Sequence, residues 1–251
     1  MTDFAAYFDD SGHPDGQKAV IVAGFIASEE QWLLFEKEWK AILAPLSIDL
    51  FHMADFENCK VWPKEFKMRV VEQLVSTIVG RCRYHISEVV LMDDYRRIND
   101  LYAFQEVIGT PYALAGRTVA KCINQWKKNY TKPSDKLLVF FEDGTKHKGD
   151  FMDAMERDGV PCPQFLGKGA SPLQAADLLA WEILNTIRTD DTKRLKRFKH
   201  HPGDDGVYHY DDLQAICRDP RVPMPRRDTL NPSAYLAHHS SPKKPRRRTI
   251  K

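Results

Sequence analysis

Long apolar stretches are absent from this 251-residue sequence. No run approaches the ~20 apolar residues that a membrane-spanning helix needs, so a chain without membrane spans is predicted. The opening residues, MTDFAAYFDD, also lack the basic start and apolar core that are typical of a secretory signal. We therefore expect a cytoplasmic location and no membrane partner.

Cysteine is sparse, and its spacing lacks the pattern of a metal or redox motif. The five cysteines are scattered and none belongs to a C-x-x-C pair: Cys59, Cys82, Cys122, Cys162 and Cys217. A zinc cluster or a dithiol redox motif is therefore not predicted. The odd, scattered count indicates reduced thiols.

A large charge of either sign is also missing, because the formal net charge of the whole chain is +2. The distribution is nevertheless uneven. The last nine residues, KKPRRRTIK, contain six Lys or Arg and no acid, which leaves the rest of the chain mildly acidic. Such a tail fits a polyanionic partner, and it fits a solvated terminus equally well.

The first half of the chain contains short apolar runs separated by amphipathic segments. The runs at residues 4–8 and 18–27 are joined by turn formers and predict a β-hairpin. Ser28 begins a capping box that predicts a helix, and a second helix is predicted after Pro63. Between these helices, the segment IDLFHMADF is predicted to be a short extended piece followed by a loop.

Three further elements are predicted from the middle and late parts of the chain. Thr110 and Pro111 are typical of a helix start. The near-continuous apolar run at residues 136–141, KLLVFF, predicts a central strand buried on both faces. Ser171 begins SPLQ, a capping box that predicts a long helix.

Alternating strands and helices over residues 1–190 predict one α/β domain. Its sheet is expected to be mixed because a hairpin comes first. A long helical insertion, interrupted by one or more strands, is expected within about residues 28–130. The segment CRYHISEVVLM is a strand candidate within it, and which predicted strand is the third of the sheet stays open. Residues 191–251 are predicted to form a basic, partly irregular C-terminal extension.

Acidic residues occupy three places where a carboxylate is unfavourable. Asp9 and Asp10 end the first predicted strand, Glu142 and Asp143 end the strand at 136–141, and Asp177 lies on the apolar stripe of the late helix. A buried carboxylate is strongly destabilising unless it is paired or binds a metal. A shared divalent cation would satisfy all three places. Two Mg²⁺ or Mn²⁺ ions about 4 Å apart, held by such carboxylates, suit phosphodiester hydrolysis.

Structural explanations exist for each acidic residue taken singly. The sequences DDSG and EDG both have the composition of turns. Asp177 could instead pair with an arginine from another part of the chain. Because the three places occur together, the metal-site interpretation is the one that we favour.

These residues resemble a known family. YFDDSG resembles the IDESG opening of the bacterial and phage family called domain of unknown function 3800, and SPLQAADLLAWE resembles its late helix motif, lQlADlia. FHMADF falls where that family has an lHas segment, and VFFEDG falls at its acidic strand end. The resemblance covers about residues 4–190. It implies a ribonuclease H-like fold, and DESG is similar to the DEAG of type 2 ribonucleases H, where both acids serve the metal site.

Carried over residue by residue, the resemblance implies a set of catalytic metal ligands. They are Asp9, Asp10, Glu142 or Asp143, and Asp177. The chain departs from the pattern at Asp10, where the family has Glu. Because Asp is one methylene shorter, this departure weakens the assignment of Asp10 more than that of Asp9.

Two other polar residues are candidates at the same site. His52 in FHM is a candidate general acid or substrate contact, because imidazole transfers protons near neutral pH. A hydrogen-bonded loop histidine is the alternative. Lys168, between two glycines just before the late helix, is a candidate phosphate contact, and a solvated loop lysine is the alternative.

A basic segment follows the last predicted helix. Residues 192–201, TKRLKRFKHH, combine five Lys or Arg with Phe198. This composition suits a track for a nucleic-acid backbone. A solvated helix face explains it equally well.

Together these features predict a divalent-metal-dependent nuclease or phosphodiesterase that acts on RNA or DNA with Mg²⁺ or Mn²⁺. One alternative is a nucleic-acid or protein binding module on the same fold with an inactive site. Another is a hydrolase of small phosphoesters. The sequence does not predict which nucleic acid is the substrate or how many copies of the chain assemble.

Overall fold

A six-stranded sheet forms the centre of the protein. We describe it from a computed structural model, in which residues 2–12, 16–144, 148–157, 163–198 and 200–227 are described. The strands, in chain order, are β1 (Asp3–Ser11), β2 (Ala19–Ser28), β3 (Tyr84–Leu91), β4 (Lys136–Glu142), β5 (Gln164–Leu166) and β6 (Gly203–Tyr208).

Helices occupy most of the described chain between the strands. They are α1 (Glu29–Leu43), α2 (Met53–Asn58), α3 (Lys64–Arg81), α4 (Met92–Leu101), α5 (Phe104–Ile108), α6 (Pro111–Tyr130), α7 (Lys148–Arg157), α8 (Ser171–Thr189) and α9 (Tyr210–Arg218). Ser28 and Thr110 cap α1 and α6 through their side chains, as the sequence predicts. Within the described ranges, no helix has the length and apolar character needed to cross a membrane.

The strand order is β5-β4-β1-β2-β3-β6. β1, β2 and β3 form an antiparallel meander. β4 is parallel to β1, β5 is parallel to β4, and β6 is parallel to β3. The predicted mixed sheet flanked by helices is confirmed. Because β1, β4 and β5 run in the same direction, their carboxyl ends meet at one edge of the sheet.

Each face of the sheet has its own apolar core, because side chains alternate along a strand. On β1, Ala5 packs in the core made with α1, α2, α3 and α8. Phe8 packs on the opposite face, in the core made with α4, α5, α6, α7 and α9. We call these the α8 face and the α6 face.

Two predicted elements differ from the structure in the middle of the chain. The segment predicted to be a loop after His52 forms α2, in which Met53 and Phe56 are buried at helical spacing. A helix of six residues is too short for its periodicity to stand out. The strand at 136–141 is not buried on both faces, since Leu138 is 44% exposed. The reason is that α8 packs on β1 and β2, while β4 lies further out, between β1 and the short edge strand β5.

The start of α8 also differs by one residue. Ala170 is its N-cap, whereas the predicted cap, Ser171, is the first helical residue. The helix has no side-chain cap hydrogen bond. Pro172 is compatible with this start because the first helical N–H groups have no intrahelical partner.

Two strands complete the sheet on the far side of β2. β3 lies in the predicted strand candidate CRYHISEVVLM, inside the predicted helical insertion, and is the third strand of the sheet. β6 falls inside the extension predicted from residue 191 onward and pairs with β3. Its sequence, GDDGVY, lacks the alternation typical of a strand. Gly203 and Gly206 instead make room for the side chains of His85 and Glu88 on β3.

Candidate metal centre

The site begins with the register between β1 and β4. Phe8 pairs with Phe141 in the parallel ladder, and both side chains lie on the α6 face. The next residues, Asp9 and Glu142, are therefore neighbours whose side chains both point to the α8 face.

Three carboxylates converge at this point. Asp9, Asp10 and Glu142 each offer one oxygen, and these oxygens lie within 4.8 Å of one another. Asp9 is only 4% exposed, and its Oδ1 accepts a hydrogen bond from the backbone N–H of Asp10 at 2.7 Å. Asp10 therefore reaches the cluster although it is shorter than the Glu of the family pattern.

The acids at the end of β1 are strand residues and do not form a turn. Asp9 and Asp10 pair with Ala23 and Val22 of β2. The chain leaves the strand only at Gly12, whose φ is +90°. A Cβ there would lie 2.1 Å from the carbonyl oxygen of Ala19. Ser11 and Gly12 therefore lead into the turn, whereas Asp9 and Asp10 still belong to the strand.

The side chains of Glu142 and Asp143 lie in different environments. Glu142 is buried in the cluster, whereas the side chain of Asp143 is 52% exposed and its Oδ1 lies 2.8 Å from Lys148 Nζ. Gly144 leaves the space that the Glu142 carboxylate occupies, because a Cβ there would lie 2.8 Å from Oε2. Of the two predicted ligands, only Glu142 is brought together with Asp9.

Asp177 approaches the cluster from α8, which packs across β1 and β2. Its Oδ2 accepts a hydrogen bond from the backbone N–H of Met53 at 2.7 Å. Its Oδ1 lies 3.3 Å from His52 Nε2. The polar partners of this buried acid therefore come from the start of α2 and its N-cap, far away in the sequence. Asp177 is not among the three residues whose oxygens lie within 4.8 Å.

His52 and Lys168 line the same site. His52 lies between two carboxylates, with Nδ1 3.1 Å from Asp55 Oδ2 and Nε2 facing Asp177. Lys168 Nζ lies 4.0 Å from Glu142 Oε1. The structure thus brings both predicted residues to the edge of the acidic cluster.

The acidic residues perturb one another strongly. Burial raises the pKa of Asp9 well above its usual value, and the charges of Asp177, Asp10 and Glu142 raise it further. Burial and the charge of Glu142 raise the pKa of Asp10 to about 7, although Lys168 opposes the shift. Burial likewise raises the pKa values of Glu142 and Asp177. Lys168 opposes the rise in the pKa of Asp10, Glu142 and Asp177, and burial outweighs it at all three.

Tyr112 is a site neighbour that the sequence did not reveal. It lies in the first turn of α6 and is only 2% exposed. Burial raises the pKa of its hydroxyl, and the charges of Asp10, Asp9 and Glu142 add to the shift. Its place on the apolar stripe of α6 gave no sign of this environment.

The basic segment after α8 is partly structural. Arg194 Nη1 and Arg197 Nη1 lie 3.5 Å and 3.8 Å from the buried carboxylate of Glu182. Arg194 also contacts Glu57 at 2.8 Å. These two arginines hold the segment against α8 through their ion pairs with Glu182. The remaining described lysines of the segment, Lys193 and Lys196, are exposed, while Lys199 and the basic tail lie outside the described residues.

The donor set fits a hard divalent cation. Carboxylate oxygens are the ligands that Mg²⁺ and Mn²⁺ prefer. Asp9, Asp10 and Glu142 would hold the cation, with Asp177 beside them. Burial and mutual repulsion disfavour the ionised forms of these carboxylates. A bound cation would stabilise the ionised forms.

Comparisons with known proteins give weak likenesses. No protein-family model and no curated protein sequence matches the chain. Among solved structures, the chain is similar to Bst-RNase HIII in complex with Mn²⁺, with 11% identity and a TM-score of 0.42 over 96% of this chain and 70% of that chain. It is also similar to the PCNA:RNase HII complex from Archaeoglobus fulgidus, with 13% identity and a TM-score of 0.38 over 98% of each chain. Likenesses at this level carry no inference about activity.

The acids lie on three successive parts of the chain, as the sequence predicts. A hairpin comes first, an acid ends β1, an acid ends β4, and an acid lies on α8 late in the chain. The α/β class with a mixed central sheet flanked by helices is confirmed by the strand order, and the ribonuclease H-like fold stays what the resemblance implies. Membership of the family domain of unknown function 3800 stays a prediction.

Proposed function

We propose that this protein is a divalent-metal-dependent phosphodiesterase that acts on nucleic acid. The observation that carries the proposal is the convergence of Asp9, Asp10 and Glu142, whose oxygens lie within 4.8 Å of one another at one sheet edge. Burial, and at Asp9 and Asp10 also neighbouring acids, raises their pKa values, so their ionised forms are disfavoured until a cation binds. A bound Mg²⁺ or Mn²⁺ would activate the attacking water and stabilise negative charge on the phosphate.

Lys168 supplies the contact that holds the substrate. Its ammonium group lies beside Glu142 and is half-exposed, so it can reach a phosphate oxygen at the mouth of the site. A point charge on a flexible side chain is suited to this role. Nucleic acid is the proposed partner, because the resemblance to ribonuclease H-like proteins implies it and exposed lysines follow α8.

His52 supplies a proton to the leaving oxygen. Both of its ring nitrogens face carboxylates, and a ring that carries a proton on each nitrogen donates a hydrogen bond to both of them. In that state His52 is a proton donor. As the new bond to the water oxygen forms and the P–O ester bond breaks, one N–H of His52 would turn from its carboxylate partner to the leaving oxygen and protonate it. The proton lost by the attacking water would pass to solvent, from which the ring is protonated again.

The observation that favoured an inactive binding module was the shorter acid at position 10. Asp10 nevertheless places an oxygen in the cluster, so this departure no longer argues against activity. Asp143 is not assigned to the metal, because its carboxylate faces Lys148 outside the cluster.

Cleavage assays with defined substrates test the proposal. RNA, DNA and hybrid duplexes are incubated with Mn²⁺ and the wild-type protein, Asp9→Asn or Asp143→Asn. We expect cleavage by the wild type and by Asp143→Asn, and a loss of more than about 100-fold in Asp9→Asn. Equal activity in all three proteins contradicts the proposal. Binding of nucleic acid and Mn²⁺ without any cleavage supports the binding module instead.

A further inference from the structure

Helix α8 carries a second buried polar residue near Asp177. Gln174 lies one turn before Asp177 and is only 3% exposed. Its Oε1 accepts hydrogen bonds from Trp39 Nε1 at 2.9 Å and from the backbone N–H of Phe51 at 3.3 Å. No contact of Gln174 reaches the acidic cluster itself among the described residues.

Gln174 and Asp177 together hold the segment that carries His52. Gln174 accepts the N–H of Phe51 and Asp177 accepts the N–H of Met53. His52, between them, is extended, with φ −133° and ψ 121°. Alternate N–H groups of an extended segment point in the same direction. Two acceptors spaced by one helical turn therefore fix both sides of His52 and direct its ring toward Asp177.

The other end of the same amide holds the segment that carries Lys168. Gln174 Nε2 donates a hydrogen bond to the backbone carbonyl oxygen of Lys168 at 3.4 Å. This residue lies between Gly167 and Gly169, for which an added Cβ would meet no atom within 4 Å. Because glycine allows many backbone conformations, this short loop gains definition from the contact.

We propose that Gln174 is a positioning residue that directs His52 and Lys168 toward the acidic cluster at the same time. Its catalytic consequence rests on the proposed function. Only an amide suits the place, because it offers an acceptor to Phe51 and a donor to Lys168 from one planar group. An ionised Glu would lack the donor, and Leu would lack both.

The experiment compares Gln174→Leu with Trp39→Phe. Gln174→Leu removes all three hydrogen bonds, whereas Trp39→Phe removes only the one on the side away from the site. We expect Gln174→Leu to lower the rate of Mn²⁺-dependent cleavage about 10- to 100-fold, as is usual when a supporting residue of a metal site is lost. Trp39→Phe is expected to lower the melting temperature while it keeps most of the activity.

Combining the substitutions in one protein distinguishes a positioning role of Gln174 from a general loss of stability. If Gln174 acts through the two side chains, Gln174→Leu should have little further effect on activity in a His52→Ala, Lys168→Ala background. An undiminished effect in that background overturns the proposal. Equal losses of activity in Gln174→Leu and Trp39→Phe, at equal losses of stability, also overturn it.

A measurement without catalysis keeps the inference separate from the proposed function. The ¹⁵N chemical shifts of the His52 imidazole report its contacts with Asp177 and Asp55. We expect them to move toward those of a free histidine in Gln174→Leu but not in Trp39→Phe. Unchanged shifts in Gln174→Leu overturn the positioning role, even if the wild type cleaves nucleic acid. If Gln174→Leu fails to fold, Gln174→Asn, whose amide falls short by one methylene, replaces it in every arm.

Discussion

The carboxylates of Asp9 and Glu142 are neighbours at the edge of the sheet, although they come from opposite halves of the chain. The pairing of Phe8 with Phe141 places them side by side. Both are buried, and the charge of Glu142 helps to raise the pKa of Asp9. Two buried acids in this relationship repel each other until a cation binds, and the first predictions follow from this.

Replacing Asp9 should remove metal binding without weakening the metal-free fold. Asp9→Asn takes away a buried negative charge that Asp177, Asp10 and Glu142 repel, so the melting temperature without metal is expected to stay the same or rise. In the wild type, Mn²⁺ at about 100 times its Kd should stabilise the fold by about 2.7 kcal/mol. Thermal unfolding with and without Mn²⁺ measures both effects. A full Mn²⁺ shift in Asp9→Asn contradicts the assignment.

The stability of the metal-free protein should depend on pH through Asp10. Its pKa in the folded state is about 7, whereas an unfolded Asp ionises near pH ~4. The folded state therefore holds this proton more tightly. The resulting stability is complete below about pH 4 and is lost as the pH rises through about 7.

Binding of a metal ion should reverse this dependence of stability on pH. A proton on Asp10 competes with the cation, so the affinity for Mn²⁺ is expected to rise between about pH 5 and about pH 7. Calorimetry and thermal unfolding across this range test both trends, and Asp10→Asn should flatten them. Identical pH profiles in the wild type and Asp10→Asn would show that another group is responsible.

Gly144 should matter because of the space it leaves for Glu142. In Gly144→Ala, the new Cβ would lie within 2.9 Å of both carboxylate oxygens of Glu142, so the flexible side chain must move away from Asp9. We expect a loss of about tenfold in Mn²⁺ affinity with little change in the free energy of unfolding. Gly149→Ala is the matched control, because its Cβ would meet no atom within 4 Å. Equal Mn²⁺ affinities in the two variants would contradict this account.

The basic segment after α8 should divide into structural and binding residues. Arg194→Ala leaves the buried Glu182 with a single, more distant arginine. We expect it to lower the free energy of unfolding by about 2 kcal/mol, less than for a fully buried pair because Arg194 is partly exposed. Urea unfolding measures this loss.

Lys196→Ala should show the opposite pattern. Lys196 is exposed, so its replacement is expected to leave the free energy of unfolding unchanged within about 0.5 kcal/mol. If the segment follows a nucleic-acid backbone, the salt dependence of binding should become shallower by about one unit of slope. Fluorescence titrations at several salt concentrations measure it, and an unchanged slope would show that Lys196 lies off the binding track.

Part of the site could be predicted from the sequence, because the neighbouring residues alone show that an acid lies at a position where burial is expected. Asp9 follows an apolar strand and Asp177 lies on an apolar helix stripe, and both positions are visible without a structure. The choice between Glu142 and Asp143 could not be predicted. Side chains alternate along β4, but only the pairing with β1 decides which of the two points to the α8 face. Tyr112 was hidden because its position looks like an ordinary core position of a helix. Gln174 belongs to the motif that carries the family resemblance, but its contacts with Phe51 and Lys168 are visible only in the structure.

The sequence by itself determined the alternation of strands and helices, the caps of α1 and α6, and the presence of acids where burial is expected. These features depend on residues within a few positions of one another. Only the tertiary structure decided that β6 completes the sheet, that His52 meets Asp177, and that Glu142 joins Asp9. Such contacts join distant parts of the chain, and their register is set by the packing of whole elements, which no local pattern encodes.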